Sequence, residues 1–499
     1  MAAIPEPSTS AGHLWARFIF LRALGLIFFS AFYSLAFQIY GLVGAHGILP
    51  AHTYLDSVSN ALGQFERFWY APTLLWLGPG DMGLRVIVAA GLVVSLLLTF
   101  NVRPRLMAGL STVLFLSCIA VLQDFSSYQS DGMLMEAGFI SLFYAPRGTL
   151  PGLGAFDPPS RFSRFMLEWE WFRIYFESGV VKLASGDPHW RNLTAMDEYY
   201  QNGPLPSWIG WYVQHFPHWF HAATVLVILF VELVLVWFVF GNRRLRIVCF
   251  LVATALQIGI IATANYAFLN YLVLALGVLL LDDRVFGRIR LPVVASNEPA
   301  NTTWIVIRKR VEAVLLGFAL YATIAAFFEA GPSSVLTLPA RVLDPFRIAN
   351  SYGLFAIMTQ GRYEIEFQGS SDGQTWLVYR FRYKPQDVRE RPGFFAPYQP
   401  RFEWNLWFAS LDPWSASPWV IATEQRLVEG SPGVLALFRD DPFKGRPPKV
   451  VRTIRWQYWF TDMQTMLRTG EWWRRRQIGP FAPPVMRGID GGIVIGRNP

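Results

Sequence analysis

Nine stretches of apolar residues divide the first two-thirds of the chain and constrain its fold more than any other feature. A helix needs about 20 apolar residues to cross a bilayer core, and most of the stretches approach that length. They lie at residues 14–40, 83–100, 106–122, 133–144, 165–184, 222–240, 247–263, 267–281 and 311–329. Only 16% of the residues are charged, against about 25% in an ordinary soluble domain. The sequence therefore predicts a polytopic α-helical membrane protein with about nine spans.

The distribution of basic residues between these stretches predicts their orientation. Arg and Lys concentrate in the cytoplasmic loops of membrane proteins. One set of alternating loops contains fifteen of these residues, from Arg17 to Arg310, whereas the other set contains only Arg67, Arg85 and Arg191. This asymmetry predicts a cytoplasmic N-terminus. The segment after residue 329 is then expected outside the cytoplasm, in the periplasm or in a lumen.

The hydropathy pattern changes in the last third of the chain. Apolar and polar residues alternate with a period of two over residues 377–384, 402–408 and 454–460, which is typical of half-buried strands. The sequence GSSDG at 369–373 matches a nucleophile-elbow pattern. Because strand-like rather than helix-like residues follow it, we interpret it as a hairpin turn.

Two domains are therefore predicted. Residues 1–331 are expected to form an α-helical transmembrane domain with an external loop at 185–221. Residues 332–499 are expected to form a soluble, extracytoplasmic and mostly antiparallel β domain of ordinary size. A β-sandwich is the architecture that the several short strands favour.

The sequence patterns do not indicate a metal or a cofactor. Cys118 and Cys249 are the two cysteines of the chain, and they lie in separate apolar stretches, which excludes a thiolate zinc site. His215, His218 and His221 have the spacing of possible ligands, but a proline interrupts the run, so packing at the membrane interface is the favoured interpretation. We therefore predict no metal site and no cofactor. We also predict no nucleic-acid partner, because the Lys and Arg residues behind the net charge of +8 lie mostly in short loops, where they set the membrane orientation.

The fifth apolar stretch is unusual because it carries five charges: Glu168, Glu170, Arg173, Glu177 and Lys182. Each charge inside a bilayer costs about 2.5–3.5 kcal/mol, so such residues pair with one another and commonly serve a function. Helical spacing allows Arg173 to pair with Glu170 or Glu177. Lys182 lies on another face and needs a partner from another stretch, either Glu136 or Glu232. Two interpretations stay open, an ion network that fixes helix packing and a functional site.

Several long segments of the chain resemble the lipase maturation factor family. In the membrane part they are YFESGVVKL at 175–183 and GDPHWRNLTAMD at 186–197. In the last third they are NSYGLFAIMT at 350–359, RYEI at 362–365, APYQPR at 396–401 and EGSP at 429–432. The resemblance runs in order through most of the chain, which makes it far more specific than any short motif.

This resemblance implies a non-enzymatic, chaperone-like maturation factor that helps exported proteins, lipases above all, to reach their folded state. The implied partners are an exported client protein and membrane lipid. The residues expected to bind are Glu170, Arg173, Trp190, Arg191, Asp197, Trp208 and Trp404. For each single tryptophan, packing in the core or at the membrane interface is the alternative. The preference for Arg over Lys suggests a bacterial cell membrane with a periplasmic C-terminal domain; in a eukaryote the location implied is the endoplasmic reticulum membrane.

A shorter similarity supports an alternative function. GVVKL at 179–183, followed by Trp190, is similar to the transmembrane module of vitamin K-dependent γ-carboxylase, in which the matching lysine acts as a base. The similarity implies a membrane enzyme in which Lys182, with Glu177, acts on a lipid-soluble or quinone-like substrate. Burial makes a neutral lysine amine accessible near physiological pH, so this role is chemically reasonable.

Overall fold

A computed structural model describes residues 12–126, 128–286, 302–328, 335–488 and 490–496. The first part of the chain is helical, and a helix lies in each of the nine apolar stretches. Its helices are α1 (Leu14–Val43), α2 (Ala51–Ala61), α3 (Glu66–Tyr70), α4 (Asp81–Thr99), α5 (Pro104–Ile119), α6 (Gln129–Tyr144), α7 (Arg161–Ala184), α8 (Pro188–Arg191), α9 (Tyr199–Asn202), α10 (Trp208–Gln214), α11 (His218–Leu233), α12 (Arg243–Thr263), α13 (Leu269–Gly277) and α14 (Thr302–Phe327).

Five helices among the described residues are long and apolar enough to cross a membrane. They are α1, α4, α11 together with the 3₁₀ turns that extend it to Phe240, α12, and the Lys309–Phe327 part of α14. Helix α5 and the Leu269–Leu280 segment are apolar but shorter. The chain is therefore an integral membrane protein, as the apolar stretches predict.

Close helix packing in this part depends on small residues. A Cβ atom at Gly25 of α1 would lie 2.5 Å from the hydroxyl oxygen of Thr99 on α4, and one at Gly91 of α4 would meet the ring of Phe32 on α1. Backbones can approach this closely only where side chains are small, which is the usual packing mode between helices in a bilayer. Together α1 and α4 form the wall against which α5 and α6 pack.

The last third of the chain contains helices and one sheet. Its helices are α15 (Leu338–Leu343), α16 (Arg401–Ala409), α17 (Trp419–Glu429), α18 (Pro432–Leu435) and α19 (Met463–Thr469). The strands are β1 (Arg362–Ser370), β2 (Leu377–Val378), β3 (Val450–Phe460), β4 (Trp473–Pro480), β5 (Val485–Arg487) and β6 (Ile493–Ile495). They form an antiparallel sheet in the order β2-β1-β3-β5-β6, and β4 pairs with the second half of β3.

This architecture corrects the expected β-sandwich. The residues that the structure describes contain a single sheet, and helices α16 and α17 pack on it where a second sheet was expected. Phe367 of β1 contacts the rings of Phe402 on α16 and of Phe438, which follows α18. The predicted strand at 454–460 and the hairpin turn at 369–373 are confirmed, with Asp372 accepting hydrogen bonds from the amides of Gln374 and Thr375.

Two of the predicted strands are wrong in whole or in part. Residues 402–408 belong to helix α16, which is buried on nearly all sides, so apolar residues occupy most of its positions and imitate a period of two. Only Leu377–Val378 of the 377–384 segment is strand. The amide of Tyr379 still donates to the carbonyl of Phe367 in β1 at 3.0 Å, but residues 382–384 bend away from the strand direction. The domain boundary predicted between residues 331 and 332 lies outside the described residues.

A buried ion pair joins the last third of the chain to the membrane part. The guanidinium of Arg401 at the start of α16 donates to both carboxylate oxygens of Asp131 on α6, at 2.7 and 2.8 Å, and to the carbonyl of Phe125 at 2.9 Å. Both side chains are fully buried. The geometry is bidentate, which is the strongest form of this interaction.

We expect Arg401→Met to destabilise the protein by about 3–5 kcal/mol, because it leaves the carboxylate of Asp131 buried without its cation. Thermal unfolding in detergent measures the loss. Arg439→Met is the matched control, since Arg439 pairs with Glu390 at the surface, where such pairs contribute about 1 kcal/mol or less. Equal losses in the two variants would contradict the role of the buried pair.

Glu424 gives the last third a predicted pH dependence. It is fully buried in α17, and burial raises its pKa from 4.5 to about 9. The folded state therefore holds a proton that the unfolded state releases above pH 4.5, so stability falls as pH rises towards 9, by up to about 1.4 kcal/mol per pH unit. Glu424→Gln should remove this slope. Unfolding curves of both proteins between pH 5 and 9 measure this dependence. If the free energy of unfolding has the same pH slope in both proteins, the prediction is wrong.

Candidate functional site

Helix α7 holds the charged residues of the fifth apolar stretch inside the protein. The side chain of Ser160 caps its start by accepting a hydrogen bond from the amide of Ser163. The helix then contacts α6, α11, α13 and α14, so most of its faces are covered. Its charged side chains consequently meet partners from other helices rather than lipid.

Lys182 forms a buried ion pair with Glu232 of α11. Its ammonium donates to the two carboxylate oxygens at 2.7 and 2.9 Å, and both side chains are almost wholly buried. The indole ring of Trp190 lies over the ammonium, with 5.1 Å from Nζ to the ring centre. Of the two partners that the sequence left open for Lys182, the structure selects Glu232.

A second group of charges lies deeper along α7 and includes Glu136 from α6. Arg173 pairs with Glu136 and lies 3.9 Å from a carboxylate oxygen of Glu177. Glu168, near the start of α7, pairs with Arg246 of α12 at 2.5 Å. Glu170 is fully buried and has no hydrogen-bond partner among the described residues. Arg173 therefore pairs with Glu177, not with Glu170.

Residues from the last third of the chain complete this network. The hydroxyl of Tyr352 donates to Glu136 at 2.9 Å, and the backbone amide of Tyr352 donates to Glu177 at 2.6 Å. Arg173 in turn donates to the carbonyl of Asn350. Sequence reasoning missed these contacts, because the NSYG segment carries no charge that marks it as part of an ion network.

The structure does not gather the remaining predicted residues into one site. Trp190 is buried and its indole donates to the carbonyl of Phe355 at 3.0 Å. Arg191 donates to a backbone carbonyl of α7 at the surface. Asp197 contacts His218 at 3.0 Å, and Trp208 packs edge-on against Phe394 at 5.8 Å. Three or more His, Cys, Asp or Glu side chains that could hold a metal do not converge anywhere in the described part of the chain.

Trp404 instead lines a separate cavity of about 640 Å³ between α16 and the loop at 353–360. Its walls are rich in aromatic side chains, among them Tyr128, Tyr266, Phe355, Trp407 and Phe408. Trp404 itself is only 8% exposed, whereas Phe408 and Ile357 at the cavity are 46% and 71% exposed. We name this the external aromatic cavity, because most of its lining residues belong to segments that the loop charges predict to be external. The sequence did not predict this cavity, because the period-two pattern at 402–408 assigned Phe408 to the inward face of a strand.

Comparison with known proteins identifies the family. Residues 15–288 match the lipase maturation factor transmembrane domain, and residues 348–483 match the lipase maturation factor C-terminal domain. The chain belongs to the lipase maturation factor family. Both matched regions contribute to the ion network, α7 from the first and the Asn350–Tyr352 segment from the second.

Named relatives resemble this maturation-factor chain over nearly its whole length. It is 32% identical to Lipase maturation factor 1 of Bos taurus, over 96% of this chain and 90% of the relative. It is 30% identical to Lipase maturation factor 2 of Gallus gallus, over 95% and 82% of the two chains. A search of solved structures gives no match. Neither the family nor these relatives support the membrane-enzyme alternative.

A double-variant comparison tests whether Lys182 is structural. Lys182→Met leaves Glu232 as a buried unpaired charge, which costs about 3–5 kcal/mol, whereas replacing a whole buried pair with apolar residues is commonly near neutral. We expect Lys182→Met to lower thermal stability strongly and Lys182→Met/Glu232→Leu to recover most of it. Client maturation should follow stability. A stable double variant without maturation activity would instead assign Lys182 a chemical role.

Proposed function

We propose that this chain is a membrane-embedded maturation factor that assists the folding or assembly of exported lipases. The observation that carries the proposal is the ordered match of both family regions, together with relatives named lipase maturation factor that this chain matches over 82–90% of their length.

The proposed topology has nine spans, a cytoplasmic N-terminus and an extracytoplasmic region after residue 332. Contacts between distant segments support it. On the side proposed to be external, the indole of Trp211 donates to the carbonyl of Trp472, and that of Trp407 donates to the carbonyl of Asn202. On the opposite side, the amide of Trp15 donates to Asp283. Each contact joins segments that the loop charges assign to one side of the membrane.

Labelling with a membrane-impermeant maleimide tests this topology in bacterial cells that express the chain, where the reagent reaches the periplasm but not the cytoplasm. Asp372→Cys lies in an exposed turn of the last third and should react from outside, whereas Arg147→Cys, in an exposed loop proposed to be cytoplasmic, should not. The native Cys118 and Cys249 are buried and give a low background. Labelling of Arg147→Cys from outside, with protection of Asp372→Cys, would reverse the topology. In the proposed topology the last third of a bacterial chain lies in the periplasm, and that of a eukaryotic chain lies in the lumen of the endoplasmic reticulum.

We further propose that the external aromatic cavity binds an apolar segment of the partly folded lipase. Aromatic side chains offer large contact areas at low entropic cost, and exposed apolar groups around a cavity commonly mark an interaction site. Phe408 and Ile357 supply the exposed part, and Trp404 lines the interior. Trp404, one of the tryptophans expected to contact the client, lines this cavity together with Trp407, whereas Trp190 donates to the carbonyl of Phe355.

The test is the yield of active lipase in cells that lack their own maturation factor and co-express this chain with a secreted lipase. We expect Phe408→Asp to lower secreted lipase activity towards the level without the factor. Leu467→Asp is the control, because Leu467 is 80% exposed on α19 and does not line the cavity. If the two variants give equal secreted lipase activity, the client does not bind at this cavity. A correctly inserted wild-type chain that never raises lipase activity would refute the function itself.

A further inference from the structure

A second cavity lies inside the membrane part, between α7, α11, α12 and α13. Its volume is about 440 Å³, within the range of about 300–1,000 Å³ that is typical of small-molecule sites. Along α11 it extends from Phe220 to Glu232, which at 1.5 Å per residue corresponds to about 18 Å. The cavity is therefore long as well as large. Its lining is mostly apolar, and it includes the Lys182–Glu232 pair.

The cavity opens sideways between α11 and α12. Phe220, Thr224 and Val227 line it from α11 at steps of four and three residues, so they form one stripe of that helix. Val252 and Gly259 line it from α12 at a step of seven residues. Val227, Val252 and Gly259 are also exposed at the protein surface. Residues that face both a cavity and the outside mark an opening.

This opening faces the hydrocarbon core of the bilayer. Both helices belong to those that are long and apolar enough to cross a membrane. Their outer faces beside the opening are apolar too, with Leu226 and Phe230 exposed on α11 and Leu251 and Ile258 exposed on α12. The molecules that surround such a surface are lipid chains.

The inner wall of the cavity is mostly apolar, and its amide and charged side chains are paired. Val273 of α13 and Ile174 of α7 line it and are buried. Gln257 donates to the hydroxyl of Tyr175 at 2.8 Å and accepts from Asn270 at 2.6 Å. The Lys182–Glu232 pair in the wall has no net charge. A ligand therefore finds apolar contacts and no unmatched charge, which suits a hydrocarbon chain.

We propose that this cavity binds one hydrocarbon chain of a membrane phospholipid, which enters between α11 and α12 and lies against α13. We name it the lateral lipid cavity. The proposal is independent of the client, because it rests on the shape and lining of the cavity and on its opening between two membrane helices. Leu354, Phe355 and Met358 nevertheless line both this cavity and the external aromatic cavity, so a bound chain would lie directly behind the wall of the other site.

Photo-crosslinking of the full chain tests the proposal. The protein is reconstituted in phosphatidylcholine vesicles that contain a phosphatidylcholine with a diazirine at the end of one acyl chain, and adducts are mapped by mass spectrometry. Bulk lipid cannot reach Val273, which is buried behind α11 and α12. We expect adducts on the α13 peptide as well as on outward-facing helix surfaces. Adducts on outward-facing surfaces only would overturn the proposal.

Gly259→Phe is the blocking variant. A Cβ atom built at Gly259 meets no other atom within 4 Å, so the ring can fill the opening without disturbing the helix. It should reduce the α13 adducts to the level of a buried α1 peptide containing Phe28, and leave α14 adducts unchanged. Gly317→Phe on α14 is the matched control, since a Cβ atom there is equally free and Gly317 does not line the cavity.

A second blocking variant keeps the test valid if Gly259→Phe fails to fold. Thr224→Trp places a large ring on the opposite side of the opening and should also remove the α13 adducts. Unchanged α13 labelling in a folded Gly259→Phe or Thr224→Trp protein would refute entry between α11 and α12. The assay contains no lipase, so its outcome is separate from that of the maturation assay.

Discussion

The requirement that buried charges be paired governs how this protein is put together. Helix α7 carries five charges through the membrane part, and one helix alone offers only its own i to i+4 neighbours as partners. Three of the five have partners on other helices: Arg173 pairs with Glu136 of α6, Lys182 with Glu232 of α11 and Glu168 with Arg246 of α12. Pairing therefore fixes which helices must surround α7. The positions of the helices that line the lateral lipid cavity depend on the same contacts.

Pairing within the membrane helices alone does not complete the network. The carboxylates of Glu136 and Glu177 also accept hydrogen bonds from Tyr352, beyond the last membrane helix. Leaving a buried acceptor unsatisfied costs about 1–3 kcal/mol, and more for a charged group. The two matched family regions are thus energetically dependent on each other. The loop that follows Tyr352 is held against α7 and forms the wall between the two cavities.

The sequence predicted the elements whose signal is local. Apolar stretches indicated the membrane helices, and the requirement for a partner limited Lys182 to two candidates, one of which is correct. The sequence-based predictions failed where the signal depends on tertiary burial. Helix α16 has apolar residues on most sides because it is enclosed, so the spacing of its apolar residues does not distinguish a helix from a strand. Phe408 and the lateral lipid cavity arise from helices that meet in space, and no spacing along the chain encodes them.

The pair between Arg401 and Asp131 sets an order of events during synthesis. The two residues are separated by 270 positions, so α6 is made long before its partner exists. Until α16 has been made, Asp131 must remain in contact with water or with another group at its end of α6. The membrane helices can insert before that point, but this end of the helix bundle can close only when the last third is present. Final packing at this end is thus a late step, and a chain truncated before α16 leaves a carboxylate exposed that the full chain conceals.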